Sequence, residues 1–358
     1  DPARQRPRRC RSLGRAASAG GKAVRVAVIG AGSWGTAFAR LVGAKIPTRL
    51  WARRADLAEG IQEQRENSEY LPGFDLPAGI TATADLEAAV TGAAVVVMAV
   101  PSHGYRRVLE EARPFLAPAV PIISLSKGVE QDTLMRMTEV TADVLPDHDH
   151  RRIGVLTGPN LAREIAAMQP TASVRAVPDD ATSGLLQHLF MAPTVRVYTT
   201  PDVSGCEAAG ALKNVMAIAA GMARGLGFGD NTLAALITRA LAELTRLGIA
   251  LGGNPLTFSG LAGMGDLVAT CMSPLSRNHK VGFGLGQGRK LDDIIEEMNM
   301  VAEGVKSTKG ILEIATRHGV EMPIAEQVGT VLYAGADPQQ MVFNLMLRQA
   351  KPELHGIE

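Results

Sequence analysis

The chain has 358 residues, 46% of them hydrophobic, and a formal net charge of +1. Its length is enough for two domains, and the near-zero charge gives no electrostatic case for a nucleic acid or an anionic membrane as partner. No stretch is long and apolar enough to span a bilayer, and the scattered cysteines, Cys10, Cys206 and Cys271, suggest neither a disulfide framework nor a zinc cluster and fit a cytoplasmic setting.

Residues 1–21 are rich in arginine and small residues and show no apolar period. They read as a disordered tail outside the fold, with an arginine-rich transit peptide as the alternative. The apolar, β-branched run at 24–29 leads straight into Gly30-Ala31-Gly32-Ser33-Trp34-Gly35 and then into a helical pattern. Strand, Gly-x-Gly-x-x-Gly and helix in this order mark a dinucleotide-binding unit. Gly30 serves the tight turn, Gly32 the approach of backbone to a pyrophosphate, and Gly35 the packing of helix on strand. The helix aims its first N–H groups at the phosphates. A second strand at 48–52 ends in Arg53-Arg54, with no carboxylate until Asp56. NAD-preferring units place an acidic residue there for the ribose 2′-hydroxyl. Two cations suit a 2′-phosphate instead, so NADP(H) is the expected cofactor, with NAD(H) also accepted; a merely solvated arginine pair is the alternative.

Strand signals follow at 93–100, 121–125 and 153–156, with weaker ones at 172–177 and 195–199. The run AAVVVMAV at 93–100 is continuous, as in a strand buried on both faces of a parallel sheet. These first three strands end in Pro101-Ser102-His103, Ser126-Lys127-Gly128 and Thr157-Gly158-Pro159-Asn160. Ligands of open α/β sheets sit beyond the carboxyl ends of the strands, so these loops are expected to form one cleft wall. His148 and His150 have no partner ligands at zinc spacing, and no metal site is expected.

From about 204 the alternation gives way to helical signals at 204–223, 231–250, 255–272, 290–300, 304–318 and 323–334. The expected architecture is an α/β Rossmann-type domain over 22–203 followed by an all-α domain over 204–358. Asn231 is expected to cap the second of these helices and Gly252-Gly253 to end it, with Arg239 and Glu243 a surface pair. Between 208 and 223 only Lys213 and Asn214 are strongly polar. A helix apolar nearly all round is buried, and a lysine inside it either snorkels to water or is used. If used, it is an amine that exchanges a proton near neutral pH. Three glycines then precede Asp266, and Ser276-Arg277-Asn278 follows. Arginine's planar fork matches phosphate oxygens, and serine and asparagine add neutral donors, so this set reads as half of a small-molecule phosphate site. Asp266 would orient Lys213 or accept a hydrogen bond from a substrate hydroxyl; plain helix caps are the alternative for Asp266 and Ser276.

Gly-Ala-Gly-Ser-Trp-Gly-Thr-Ala at 30–37, Tyr70-Leu71-Pro72-Gly73, Ser126-Lys127-Gly128, Gly158-Pro159-Asn160-Leu161-Ala162-Arg163-Glu164, Ala211-Leu212-Lys213-Asn214, Gly265-Asp266-Leu267 with Thr270-Cys271, Ser276-Arg277-Asn278 and Glu303-Gly304 occur in this order. Together they make the chain, from 24 to about 330, resemble the bacterial NAD(P)-dependent glycerol-3-phosphate dehydrogenases. The resemblance implies that Ser33, Trp34, Arg53, Arg54, Tyr70, Ala162, Val301 and Glu303 contact the cofactor, with Lys127 between cofactor and substrate. It places Gly158, Asn160, Asp266, Ser276, Arg277 and Asn278 at the substrate, Arg277 also near the cofactor, and makes Lys213 the proton acceptor in alcohol oxidation. Many members have serine where this chain has Asn160. The implied reaction interconverts dihydroxyacetone phosphate and sn-glycerol 3-phosphate, without a metal, in a homodimer that supplies phospholipid synthesis. Two other readings stay open: a two-domain dehydrogenase of 3-hydroxy acids or sugar acids, and a non-catalytic NADP(H)-binding sensor on the same fold.

Overall fold

A computed structural model describes residues 24–298, 302–353 and 355. The expected tail at 1–21, Cys10 and Val301 lie outside the described residues. In chain order the first part consists of β1 (Val26–Ile29), α1 (Ser33–Gly43), β2 (Thr48–Trp51), α2 (Ala55–Gln64), β3 (Ile80–Thr83), α3 (Leu86–Val90), β4 (Val95–Met98), α4 (Ser102–Ala112), β5 (Ile122–Ser124), α5 (Met137–Val144), β6 (Ile153–Thr157), α6 (Ala162–Ala166), β7 (Thr171–Ala176), α7 (Asp180–Phe190) and β8 (Val195–Thr200). The strands form a sheet in the order β3-β2-β1-β4-β5-β6-β7-β8. All neighbours are parallel except β6 and β7. Strand order reverses between β1 and β4, and in such sheets a crevice opens there at the carboxyl edge.

Side chains alternate across β1 and are buried on both sides. Val26 and Val28 pack with Phe38 and Val42 of α1 and Phe190 of α7, while Ala27 and Ile29 pack with Leu109 of α4 and Val140 of α5. The strand readings at 48–52, 93–100, 121–125, 153–156, 172–177 and 195–199 all correspond to observed strands, whose ends differ from them by one or two residues. β3 was not legible: four residues, Ile80-Thr81-Ala82-Thr83, are too short to display a period, and pairing with β2 makes them a strand.

The second part is helical: α8 (Val203–Gly225), α9 (Asp230–Ala250), α10 (Pro255–Phe258), a π-helical turn at Leu261–Gly265, α11 (Asp266–Met272), α12 (Arg277–Gly286), α13 (Leu291–Glu296), α14 (Glu303–Arg317), α15 (Pro323–Ala334) and α16 (Pro338–Met346). As its composition predicts, α8 is buried all round from Gly205 to Ala223 and forms the axis of a core shared with α9, α11, α12, α14 and α15. Among the described residues, none of the helices is long and apolar enough to cross a membrane.

Four sequence readings are corrected here. The N-cap of α9 is Gly229, not Asn231. Arg239 and Glu243 do not pair: Arg239 donates to the Glu353 carbonyl, and Glu243, only 3% exposed, accepts from the backbone N–H groups of Ile324 and Ala325 at 2.8 and 3.4 Å. A helix start buried in the core leaves donors that need an acceptor, and the inward-facing carboxylate supplies it to α15. The expected helix over 255–272 is broken into three pieces, because its glycines admit backbone contact; a Cβ on Gly263 would lie 2.1 Å from the Phe258 carbonyl oxygen. The helix over 277–286 was missed, since its three glycines argue against helix on propensity alone.

Those glycines are explained by packing. A Cβ on Gly221 or Gly225 of α8 would sit 2.2 or 2.3 Å from the His279 or Phe283 carbonyl oxygen, and one on Gly282 or Gly286 of α12 would sit 2.0 or 2.4 Å from that of Ile218 or Met222. The two helices therefore touch backbone to backbone, which brings the start of α12 beside the middle of α8. Gly282→Ala is expected to destabilise the fold by about 3 kcal/mol through overpacking, read as a lowered thermal midpoint. Gly60→Ala in α2, where the new Cβ meets nothing within 4 Å, is expected to shift the midpoint slightly upward instead.

Candidate active site

The carboxyl ends of β1, β2, β4, β5 and β6 lie along one edge, since the register aligns Ile29 with Trp51 and Met98, Met98 with Ser124, and Ser124 with Val155. At β1 the chain turns through Gly30 (φ +119), where a Cβ would lie 2.5 Å from the Ala99 carbonyl oxygen. A Cβ on Gly35 would lie 2.0 Å from the Gly30 oxygen, whereas at Gly32 it would meet nothing within 4 Å. Two of the three glycines are thus demanded by the protein's own packing, and the middle one opens space at the start of α1. No side chain among the described residues caps α1, and the start of a helix is where backbone N–H groups meet an anion.

Asn67, fully buried, holds this turn by donating to the Ala31 carbonyl and Thr36 Oγ1, both at 2.8 Å, and by accepting from the Tyr70 N–H. Ser33 Oγ donates to the Tyr70 carbonyl at 2.7 Å. Trp34 packs edge-on to Phe38, and its buried indole Nε1–H has no hydrogen-bond partner among the described residues; Ala162 of α6 packs in the same small cluster. At the end of β2, Arg54 pairs with Glu69 and with Asp56, while Arg53 makes no hydrogen bond or ion pair to a described residue. An open backbone, an uncapped helix, an unsatisfied indole N–H and an unpaired guanidinium along one edge fit a dinucleotide.

Beyond β5 and β6 the two parts of the chain meet. Asp266, at the start of α11 and 1% exposed, takes Lys127 Nζ on Oδ2 at 2.6 Å and Lys213 Nζ on Oδ1 at 3.0 Å. Lys127 also donates to the Gly158 carbonyl at 3.2 Å, and Lys213 to Thr270 Oγ1 at 2.5 Å. Gly158 has φ +122, which glycine adopts without strain. Lys213 therefore does not snorkel to water; its ammonium is held inside, which burial permits only because charge and hydrogen bonds meet it. Burial pushes the Lys127 amine down to about 8, helped by the Lys213 charge and opposed by Asp266. Burial alone would raise the Asp266 carboxyl, but the two ammonium groups hold it below its usual range. Asp266 is not a cap: Gly265 occupies the N-cap position of α11.

Ser276 is the N-cap of α12, its Oγ accepting from the His279 N–H at 3.2 Å. Asn278 is locked into the protein: Nδ2 donates to Asn214 Oδ1 at 3.0 Å, and Oδ1 accepts from the Gly304 N–H at 2.9 Å. Asn214 in turn donates to the Lys127 carbonyl at 3.1 Å. This chain of amides ties the starts of α12 and α14 to the two lysines. Arg277, half-buried beside it, makes no hydrogen bond or ion pair to a described residue, although the Glu303 charge acts on it, so a cation without a direct partner stands at the start of α12. Asn160 Oδ1 accepts from Ser173 Oγ at 2.7 Å, and its buried Nδ2 has no partner among the described residues. Glu303 Oε2 accepts from Ser102 Oγ at 2.7 Å, linking α14 to α4. Asn67, Glu69, Ser102, Asn214 and Thr270 were not singled out as site residues; Asn214 and Thr270 lay within the motifs and Ser102 in a loop expected at the cleft wall, whereas nothing in the spacing pairs Asn67 with Ala31 and Thr36, Glu69 with Arg54, or Ser102 with Glu303.

Residues 25–183 match the model of the NAD-dependent glycerol-3-phosphate dehydrogenase N-terminus, and residues 202–343 that of the C-terminus. A glycerol-3-phosphate dehydrogenase [NAD(P)+] of Sphingopyxis alaskensis is 53% identical over 332 residues, covering 93% of this chain and 99% of the relative. One of Thermobifida fusca is 51% identical over 335 residues, with the same coverage. The crystal structure of glycerol-3-phosphate dehydrogenase from Coxiella burnetii superposes with a TM-score of 0.87 at 36% identity, covering 91% of this chain and 99% of that one. With matches spanning both parts of the chain and a dinucleotide edge facing a lysine–aspartate–lysine cluster, the chain belongs to the NAD-dependent glycerol-3-phosphate dehydrogenase family.

Proposed function

We propose that this protein reversibly reduces dihydroxyacetone phosphate to sn-glycerol 3-phosphate with NADP(H) or NAD(H). The observation that carries this is the Lys127–Asp266–Lys213 cluster, tied through Asn214 and Asn278 to an unpaired Arg277 at the start of a helix. A turnover assay with NADPH and dihydroxyacetone phosphate tests it. Tight cofactor binding without NADPH consumption would favour the sensor reading, and preference for 3-hydroxy acids the other dehydrogenase.

In this reading Gly30, Gly32, Ser33, Trp34 and Gly35 face the pyrophosphate end, and Arg53, Arg54 and Tyr70 the adenosine ribose. Ala162 and Glu303 line the rest of the cofactor site. When bound, the reduced cofactor supplies hydride to the substrate's C2. Lys213 donates a proton to the C2 oxygen as negative charge builds there, and its ammonium stabilises that charge in a site from which water is largely excluded. In the oxidation direction the same amine, unprotonated, accepts the hydroxyl proton. Asp266 and Thr270 orient Lys213 by fixing two of its directions. Arg277, Ser276 and the backbone N–H of Asn278 hold the phosphate at the start of α12. That remote binding positions C2. The free Asn160 amide donates to substrate alongside Gly158, taking the place a hydroxyl holds where the residue is serine.

Lys127 gives this site a pH dependence. Its depressed amine loses its proton as pH rises through about 8, removing a positive charge that attracts the phosphate. kcat/KM for dihydroxyacetone phosphate is therefore expected to fall on the alkaline side of about pH 8, with an apparent pKa belonging to the coupled Lys127–Asp266–Lys213 set. A profile flat from pH 7 to about 9.5 would contradict this role.

The reading also takes in a homodimer, a cytoplasmic location and supply of glycerol 3-phosphate for phospholipid synthesis. Exposed apolar residues on α11, Val268 and Met272, and in the turn that follows it, Leu275, support an apolar contact between copies.

A further inference from the structure

The end of β2 lacks the carboxylate that NAD-preferring units place there, yet tertiary structure delivers one. Glu69, in the loop before Tyr70, grips Arg54 with both oxygens, Nη1 standing 3.3 Å from Oε1 and Nη2 lying closer to Oε2. Asp56 Oδ1 lies 3.4 Å from Arg54 Nε. The guanidinium of Arg54 is thus flanked by two carboxylates, while Arg53 has no hydrogen-bond or ion-pair partner among the described residues. Arg53, Arg54, Asp56 and Glu69 together carry no net charge, so the arginine pair is a weaker phosphate receptor than its sequence implies. We propose that Glu69 is a specificity-determining residue for the cofactor: it occupies the fork of Arg54 against a 2′-phosphate and offers an acceptor to a 2′-hydroxyl.

The physical argument is competition for one guanidinium. A 2′-phosphate must displace Glu69 from Arg54 or bind beside its negative charge, and either costs affinity. A 2′-hydroxyl meets no such opposition and can donate to the carboxylate, as it does to the acidic residue at the end of β2 in NAD-binding units. Arg53, unpaired, still attracts the phosphate. The balance of the two makes the ribose end tolerant of both cofactors, and the inference rests on the reading that Arg53 and Arg54 face the adenosine ribose.

The test is equilibrium binding of 2′,5′-ADP and 5′-AMP, which differ only in the 2′-phosphate, together with NADPH and NADH, to the wild type and to Glu69→Gln, Arg53→Ala and Glu63→Gln. Because the ion pair is exposed, Glu69→Gln is expected to tighten 2′,5′-ADP and NADPH by roughly two- to fivefold and to weaken 5′-AMP and NADH slightly. The gain should shrink as salt is raised. Glu63→Gln, which removes the same charge from the exposed face of α2, should move neither ratio. A phosphate-to-hydroxyl preference unchanged or lowered by Glu69→Gln overturns the proposal. If Arg53→Ala lowers that preference in the same series, the ribose reading survives and only the role of Glu69 falls. If neither variant moves it, the ribose reading falls as well.

Discussion

Lys213→Ala is expected to lower kcat by about 10³-fold or more while leaving NADPH affinity within a factor of about three. The loss combines two functions of one group, proton transfer to the C2 oxygen and stabilisation of the charge that develops on it. Lys213 is fixed by Asp266 Oδ1 at 3.0 Å and Thr270 Oγ1 at 2.5 Å, and no water can occupy its place with an equivalent positive charge. Lys213→Met, which keeps the apolar stem in the core of α8, separates lost chemistry from lost packing: both variants should be equally inactive, and the methionine variant should melt closer to the wild type. Asp266 keeps Lys127 as its partner in either case, so the carboxylate is not left buried alone. Turnover near the wild-type rate in the methionine variant would remove Lys213 from the mechanism.

Arg277→Ala is expected to lower kcat/KM for dihydroxyacetone phosphate by about 10²- to 10³-fold, the cost of truncating a charged hydrogen-bond partner in a partly desolvated site. Activity on dihydroxyacetone, which has no phosphate, should change little. Arg277→Lys should recover part of the loss, because it restores the charge without the planar fork. Equal losses on the two substrates would show that Arg277 does not read the phosphate. The prediction is sharper than for an ordinary surface arginine because Arg277 has no hydrogen-bonded or ion-paired partner among the described residues, so no direct contact among them competes with the substrate, and Glu303 acts on it only through its charge.

Much of the fold and of the site is legible in the amino-acid sequence, and the reasons are local. A buried parallel strand must be apolar along its whole length, so 93–100 stands out. The turn after β1 needs glycine where a Cβ would strike the Ala99 or Gly30 carbonyl oxygen, so its glycines fall in a recognisable pattern. A helix enclosed on all sides must be apolar all round, so Lys213 and Asn214 are conspicuous in α8. Failures come where local signal and packing disagree. The glycines of α12 argue against a helix until the backbone of α8 is placed against them. Glu243 looks like half of a surface pair until α15 presents its uncapped N-terminus. The arginine pair looks like an unopposed phosphate receptor until the loop carrying Glu69 folds onto it.

Residue type and short-range spacing thus set the kinds of chemistry available: a phosphate-cradling turn, cations at the ribose end, two lysines, an aspartate and an arginine at a helix start. The covalent chain carries that much without reference to its folding. How the charges are shared was settled by the folded arrangement. It placed Asp266 between Lys127 and Lys213, 139 residues from the first, left Arg277 free of a hydrogen-bond or ion-pair partner among the described residues, and gave Arg54 to Glu69. Pairing energies fall off within a few ångströms and depend on burial, so which cation is spent inside the protein and which is kept for a ligand is a property of the folded chain alone.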